Sequence, residues 1–521
     1  CLPYDAFSSL DAITRTAWRM RVTRKRLLEW NASSEVERES ARRDRSDLAS
    51  SLRSMWITPT LATATVVHLA VATPAILMVA GPVLLLWITS PILAWWISRP
   101  LVPRKAELSV AQTLFLGALA RRTWAFFDSF VGPADHWLPP DNYQEYRVAA
   151  VAHRTSPTNI GLALLANLSA YDFGYIPAGL LIERTANTLR TMNGLERHRG
   201  HFYNWYDTQT LQPLPPLYIS TVDSGNLAGH LLTLRAGLLA LADDKILPGR
   251  LFDGLRDTLG ILTAAADATE NAAAGALAEF HKDLEAASAA PPISIAGARS
   301  TLERLANSAT LIVTQVAASH AVRVDTAAES EANDWAQALA RQCHEALDEL
   351  NLLAPRLLLP ASPSGLAAAN PADIAGIPTL RELATAGSAP ARDRMVVIAR
   401  LALQSGDLAH MEYDFLFDRS RHLLTIGYNV AERRTDSSYY DLLASEARLC
   451  SFVAIAQGQL PQESWFALGR LLTGTGGDPV LLSWSGSMFE YLMPLLVMPT
   501  YENTLLDQTC KAAVARQIEY G

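Results

Sequence analysis

The side chains in this sequence best suited to chemistry are carboxylates, amides and aromatics gathered into a few short blocks. Two blocks set a carboxylate in apolar surroundings. In the run from Asp436 to Arg448, a helix begun near 438 puts Tyr439, Leu442, Leu443, Glu446 and Cys450 on one face. Glu446 then lies on the apolar side, with Asp441, Ser445 and Arg448 towards the other. A buried carboxylate is costly unless it is paired or protonated. Burial raises its pKa, which suits a general acid. The plainer alternative is a core salt bridge with Arg448 or another arginine. Between Leu481 and Pro494, Glu490 is the only charge. It reads as a binding or core-pairing group rather than a catalyst, with Trp484 beside it as an aromatic contact.

The remaining blocks have the composition of a binding cleft. His153-Arg154-Thr155-Ser156-Pro157-Thr158-Asn159-Ile160-Gly161 crowds polar residues at a helix start. Capping accounts for Ser156 and Pro157 but less well for His153, Arg154 and Asn159. Gly200 to Thr208 alternates Tyr203, Trp205 and two further aromatics with His201, Asn204 and Asp207. Aromatic faces stack on sugar C–H faces, and Asn and Asp take hydroxyl hydrogen bonds, so the block suits a carbohydrate; a packed loop is the alternative. Ser220 to Gly229 holds Asp223 and Asn226 among small residues that permit close approach. Asp223 reads as the cap of a helix Ser224–Leu238, as a ligand, or as both. Tyr428, in Ile426-Gly427-Tyr428-Asn429, with Tyr439 and Tyr440 completes the set of binding residues. No phosphate-binding glycine loop, dinucleotide fingerprint or His-Glu-x-x-His occurs, so no cofactor or metal is expected in this segment.

These residues must be held by helices. From about 106 to 521 apolar residues recur at helical spacing, alternating β-branched runs are scarce, and Ala and Leu abound. Ser438 and Asp441 resemble a capping box. Residues 240–395 stand apart as Ala-rich, charged and amphipathic, with Pro291-Pro292 and a loop-like Pro360–Gly365; they read as a helical insertion with solvated charged faces.

The N-terminal part has another character. Residues 1–54 are polar and basic, with Arg19, Arg21, Arg24, Lys25, Arg26, Arg38, Arg42, Arg43, Arg45 and Arg53. Residues 55–98 then carry no Lys, Arg, Asp or Glu. One membrane helix needs roughly 20 apolar residues, so this length fits a two-helix hairpin. A turn near Ala80-Gly81-Pro82 would divide it, with Pro74 as the other candidate break. Arg99, Arg104 and Lys105 follow, so positive charge on both flanks places both in the cytoplasm. Trp56, Trp87, Trp95 and Trp96 suit interface anchors. A buried soluble hairpin is the alternative.

The whole chain, 521 residues at 50% hydrophobic, 18% charged and net charge -8, is long enough for two or three units. Mild acidity without a basic stripe argues against nucleic acid. Four cysteines without metal-ligand spacing fit a reducing compartment. The start at Cys1 and the end at Gly521 read as cuts in a longer protein.

Taken in order, Leu138–Glu145, His153–Gly161, His201–Thr208, Val222–Gly229, Tyr439–Arg448 and Ser483–Pro494 resemble the middle region of cyclic β-1,2-glucan synthases. The resemblance runs over nearly the whole chain, the Ala-rich segment being its loose part. It implies a very large, multi-pass inner-membrane protein with a cytoplasmic catalytic domain. Glycosyltransferase, transglycosylase and phosphorylase-like domains share that chain. This segment would be the transglycosylase, an (α/α)6 barrel over 106–521 acting on a β-1,2-glucan chain. The resemblance makes Glu446 the general acid/base. It places the nucleophile in a Trp-Gly-Ile-Ser-Glu motif past Gly521, so activity of this segment alone is not expected. A retaining mechanism sets the two carboxylates about 5–5.5 Å apart. Hydrolysis of β-1,2-glucan by the same residues, and glucan binding without turnover, are the competing readings.

Overall fold

The computed structural model describes residues 2–24, 48–97, 107–145, 150–267, 273–320, 327–355, 376–475 and 478–521. The chain separates into two units, Cys1–Ala106 and Glu107–Gly521.

In the first unit, helices Leu2–Trp18, Leu48–Ser54, Ile57–Ala72 and Leu77–Ile97 follow one another, the last two packed together. The break between those two falls at Thr73-Pro74, where Pro74 opens a single 3₁₀ turn, Pro74–Ile76. Its fixed φ and missing N–H suit a first-turn position. The turn expected at Ala80-Gly81-Pro82 does not form: Gly81 and Pro82 lie inside Leu77–Ile97. In so apolar a run, helical pairing is what satisfies the backbone groups around them. Among the described residues, only Pro74–Ile97 is long and apolar enough to cross a membrane; Ile57–Ala72 is shorter. The flanking Lys25, Arg26, Arg38, Arg42, Arg43, Arg45, Arg99, Arg104 and Lys105 fall outside the described residues.

The second unit is mostly helical, as its periodicity predicts. Its centre is the helix Thr221–Ala240, buried along much of its length and packed by Pro157–Asp172, Ala389–Leu408 and Ala447–Ala456. A helix rich in Leu, Ala and Gly on every side belongs in a core. Ser220, not Asp223, is its N-cap: the Ser220 hydroxyl accepts the Asp223 N–H at 3.4 Å. Asp223 sits one turn in, which leaves its carboxylate for other partners. Gly225 faces the Ala447–Ala456 helix so closely that a Cβ there would collide with Cys450. At Pro157–Asp172 the expected cap is present, Ser156 accepting the Asn159 N–H at 3.2 Å.

Four helices of the Ala-rich segment, Arg250–Asp267, Ala274–Ala289, Ile295–His320 and Ala327–Leu353, enclose a core of their own around Leu255, Phe280, Leu305 and Leu339. From Leu380 onward the segment packs into the main core through Leu380, Leu383 and Ala391. The Pro360–Gly365 loop falls outside the described residues. Short strands, which helical periodicity does not announce, edge the helices. Arg154–Thr155 pairs with Tyr206–Asp207, and Tyr218–Ser220 pairs with Gly427–Asn429. They bring the loops around the N-terminal end of the central helix together.

Candidate active site

Glu446 stands immediately before the helix Ala447–Ala456, not inside one begun at 438. The backbone ahead of it is committed elsewhere. The Tyr440 N–H donates to the Leu424 carbonyl, the Ile426 N–H to Ser438, and the Leu443 N–H to Gly469. These long-range bonds override a local pattern that is only a weak prior. The Ser438–Asp441 capping box is therefore not formed. Arg448, the partner named in the alternative salt-bridge reading of Glu446, is used elsewhere. Buried Arg448 donates to the carbonyls of Ser445 and Glu490, each at 3.0 Å, and of Tyr491 at 2.6 Å.

Glu446 is half-buried, and Asn226 Nδ2 of the central helix donates to its Oε2 at 2.7 Å. Burial pushes its pKa up to about 7. The Asn226 hydrogen bond works against that, and the carboxylates of Asp223 and Glu490 add to it. A helix N-terminus favours the ionised form, but burial and two like charges prevail.

Behind Glu446 runs a chain of hydrogen bonds. Asn226 Nδ2 also reaches Thr158 Oγ1 at 3.1 Å, and Thr158 donates to Asp223 Oδ1 at 2.6 Å. Burial holds the Asp223 carboxyl above its usual range despite donors from Ser220 and Thr158. With its amide turned to satisfy both neighbours, Asn204 donates to Asp223 Oδ2 and accepts from Trp205 Nε1, each at 3.2 Å. The Arg154 guanidinium lies over the Trp205 ring, 4.8 Å from its centroid. An aromatic shelf is thus joined, group by group, to the acid.

Other members of the expected set surround this line. Burial and then the charge of Glu446 push the Tyr440 hydroxyl upward, so Tyr440 borders the same carboxylate. Glu490 Oε2 accepts from the Ser483 hydroxyl at 2.8 Å, the Ser485 N–H at 2.9 Å and the Ser485 hydroxyl at 2.8 Å. Burial alone would raise its pKa, but these donors outweigh it and hold it low. The two carboxyls are thus shifted in opposite directions, Glu490 down and Glu446 up. Arg154 pairs with Asp141 at 2.9 Å, and Asn159 Nδ2 reaches the other oxygen of Asp141 at 3.4 Å. His153 Nδ1 meets Asp135 at 2.8 Å. Trp484 is half exposed.

Four expected binding residues have other partners. Tyr203 is in the core, its hydroxyl donating to Glu196 at 3.3 Å. Asp207 Oδ1 caps a turn by accepting the N–H groups of Thr210 at 2.7 Å and Gln209 at 3.0 Å. Tyr428 stacks with His198 and meets Phe415 edge-on. Tyr439 donates to Asp418 at 2.7 Å beneath Arg421.

Sequence reasoning missed Thr158, which its place inside a helix start disguised, and the pair Tyr218–Asp436. The Tyr218 hydroxyl donates to Asp436, and both Tyr440 and Asp223 raise its pKa after burial and Asp436 itself. Gly427 was the available signal, since a Cβ there would strike that hydroxyl. Among the described residues no cluster of His, Cys, Asp or Glu is placed to hold a metal ion. A separate small cavity, lined by Tyr171, Ile176, Leu251 and Glu349, contains none of these groups.

A carboxylic acid poised near neutrality beside a polar-aromatic shelf, on a helical scaffold, is an arrangement fit for acid–base chemistry on a hydroxylated substrate. Sequence comparison makes the relationship particular. Across 542 aligned residues, all of this chain is 34% identical to the cyclic beta-(1,2)-glucan synthase NdvB of Rhizobium meliloti (strain 1021). The resemblance read from the motifs is borne out, and the chain is a relative of one segment of that synthase. It spans only 17% of that protein's length. No family model matches the chain. A solved structure of a putative glucoamylase from Bacteroides fragilis NCTC 9343 aligns at 12% identity and a TM-score of 0.33, over 75% of this chain and 61% of that one. That likeness is too loose to bear on fold or function.

Proposed function

We propose that this chain is the transglycosylase segment of a cyclic β-1,2-glucan synthase, closing linear β-1,2-glucan into rings with retention at the anomeric carbon. The observation that carries the reading is Glu446: a half-buried carboxyl with its pKa near 7, in a segment related along its whole length to such a synthase. Glu446 protonates the departing glucosyl oxygen as a second carboxylate attacks the anomeric carbon. It then takes the proton from a hydroxyl of the same glucan, and the ring closes. Asn226 fixes Oε2, and among the described residues no hydrogen bond reaches Oε1, which leaves that oxygen for the substrate. The nucleophile comes, on the resemblance, from the Trp-Gly-Ile-Ser-Glu motif past Gly521. On that resemblance neither Glu490 nor Glu412 is needed in its place.

In this reading the helices of 106–521 form an (α/α)6 barrel. Pro74–Ile97, with Ile57–Ala72, attaches the domain to a bilayer, leaving it on the cytoplasmic side. The partners are the glucan chain and the other catalytic domains of the synthase. The test is incubation of linear β-1,2-glucan with the chain extended past Gly521. Mass spectrometry should find products lighter than the corresponding linear chains by one water. Shorter linear products alone would make the enzyme an endo-β-1,2-glucanase, and bound but unchanged glucan would make it a binding segment.

A further inference from the structure

The Asn226 amide has two possible orientations, and they act on Glu446 in opposite directions. With N–H towards Oε2, the amide stabilises the carboxylate. With the carbonyl there, it would stabilise the protonated acid instead. Three contacts decide between them. Asp223 accepts the Thr158 hydroxyl at 2.6 Å, which commits that group's only proton. Thr158 can then offer Asn226 only a lone pair, so Asn226 must present N–H, and does so at 3.1 Å. The same nitrogen gives its other hydrogen to Glu446 at 2.7 Å. The Asn226 carbonyl oxygen meanwhile is buried without a hydrogen-bond partner among the described residues. A buried, unpaired carbonyl is costly, so this orientation is imposed from outside the amide.

We infer that Thr158 is a positioning residue for Glu446: by donating its hydroxyl hydrogen bond to Asp223 it locks the Asn226 amide so that N–H faces the Glu446 carboxylate. This rests on no assumption about the substrate, although its use in catalysis rests on the proposed role of Glu446. The lock resists the other influences on that carboxyl. Burial, Asp223 from the central helix and Glu490 from Met488–Leu492 favour the neutral acid. Tyr440 and Cys450 also face it. The amide makes the base form accessible, which the second half of a transfer through Glu446 requires.

The test reads the protonation of Glu446 directly and needs no turnover. Carbodiimide coupling of a glycine ester, followed by peptide mass spectrometry, gives the extent of labelling at Glu446 against pH. In Thr158→Val the midpoint should move up by about one pH unit, the size of one hydrogen bond to a charged group. Thr158→Ser, which keeps the hydroxyl, should restore the parent midpoint. Losing Thr158 also removes a donor from Asp223, and neutralising Asp223 would move Glu446 down, so the sign is diagnostic. An unchanged or lowered midpoint in a folded Thr158→Val protein overturns the inference. If that protein does not fold, Thr158→Ala is read in the same way. An upward move together with undiminished turnover in Glu446→Gln would keep the lock and dismiss the proposed chemistry.

Discussion

Asn226 and Glu446, 220 positions apart in the chain, meet at 2.7 Å through Nδ2 and Oε2. The contact ties the start of one helix to the interior of another and opposes the burial that raises the pKa of that carboxyl.

Glu446→Gln keeps the shape and removes the transferable proton. In the chain extended past Gly521, turnover of β-1,2-glucan should fall about 10²–10⁴-fold, the usual worth of general acid–base assistance. Glucan affinity, measured by calorimetry, should persist. Near-normal turnover would remove Glu446 from the mechanism and make Glu490 the next residue to test.

The same variant makes a prediction about stability with a definite sign. The folded pKa of Glu446, about 7, lies above the ordinary glutamate value. Its contribution is therefore fully present below the ordinary value and is lost as pH rises through about 7. Thermal melts of Glu446→Gln should match the parent near pH 4 and lie above it near pH 8. A variant less stable than the parent at pH 8 would mean that the Asn226 hydrogen bond outweighs the burial of the carboxylate.

Trp205→Ala should weaken binding of linear β-1,2-glucan while leaving the melting temperature nearly unchanged. The ring is half-buried, with Arg154 on one face and its N–H on Asn204. Unaltered affinity in the folded protein would assign Trp205 to packing alone.

Arg448→Met should cost about 3 kcal/mol in urea unfolding, because it strips donors from buried carbonyls. Those carbonyls belong to Ser445, Glu490 and Tyr491, so the Glu446 and Glu490 segments would loosen together. Unchanged stability would mean that other groups satisfy the carbonyls.

Two glycines test the close approach of helices. Gly225→Ala places a methyl on Cys450 and should destabilise by about 1–3 kcal/mol, the usual result of overpacking. Gly406→Ala meets nothing nearer than Arg235 at 3.6 Å and should stabilise its helix by up to about 1 kcal/mol. Equal effects at the two positions would show that the Gly225 contact is loose.

Reporter fusions after residues 50 and 110 should both report cytoplasm if Ile57–Ala72 crosses with Pro74–Ile97. Opposite sides would leave the latter as the sole span.

Much of this was legible in residue types. Glu446, Asn226, Asp223 and the Trp205 block announced themselves because polar groups in apolar surroundings need partners. The Ser156-Pro157 helix start was readable because capping is local. What escaped was set by distant chain. Tyr439, Leu442 and Leu443 have helical spacing, but Leu424, Ile426 and Gly469 claim the backbone around them. Tyr203 looked like a sugar contact because composition does not tell a core aromatic from a cleft aromatic. Pro74, rather than Pro82, breaks the apolar run, a choice composition leaves open.

The central helix has a consequence for how such a site can be altered. Asn226 is borne by a buried helix, wedged against its neighbour at Gly225, so Asn226 and the carboxyl it holds sit where the chain tolerates least rearrangement. The shelf and the Ser483–Ser485 loop are carried instead on short strands and turns at the edge. If the proposed ring closure holds, a laboratory search for new acceptor preference, such as simple hydrolysis, should therefore accumulate its useful changes in those edges and leave positions 225, 226 and 446 untouched.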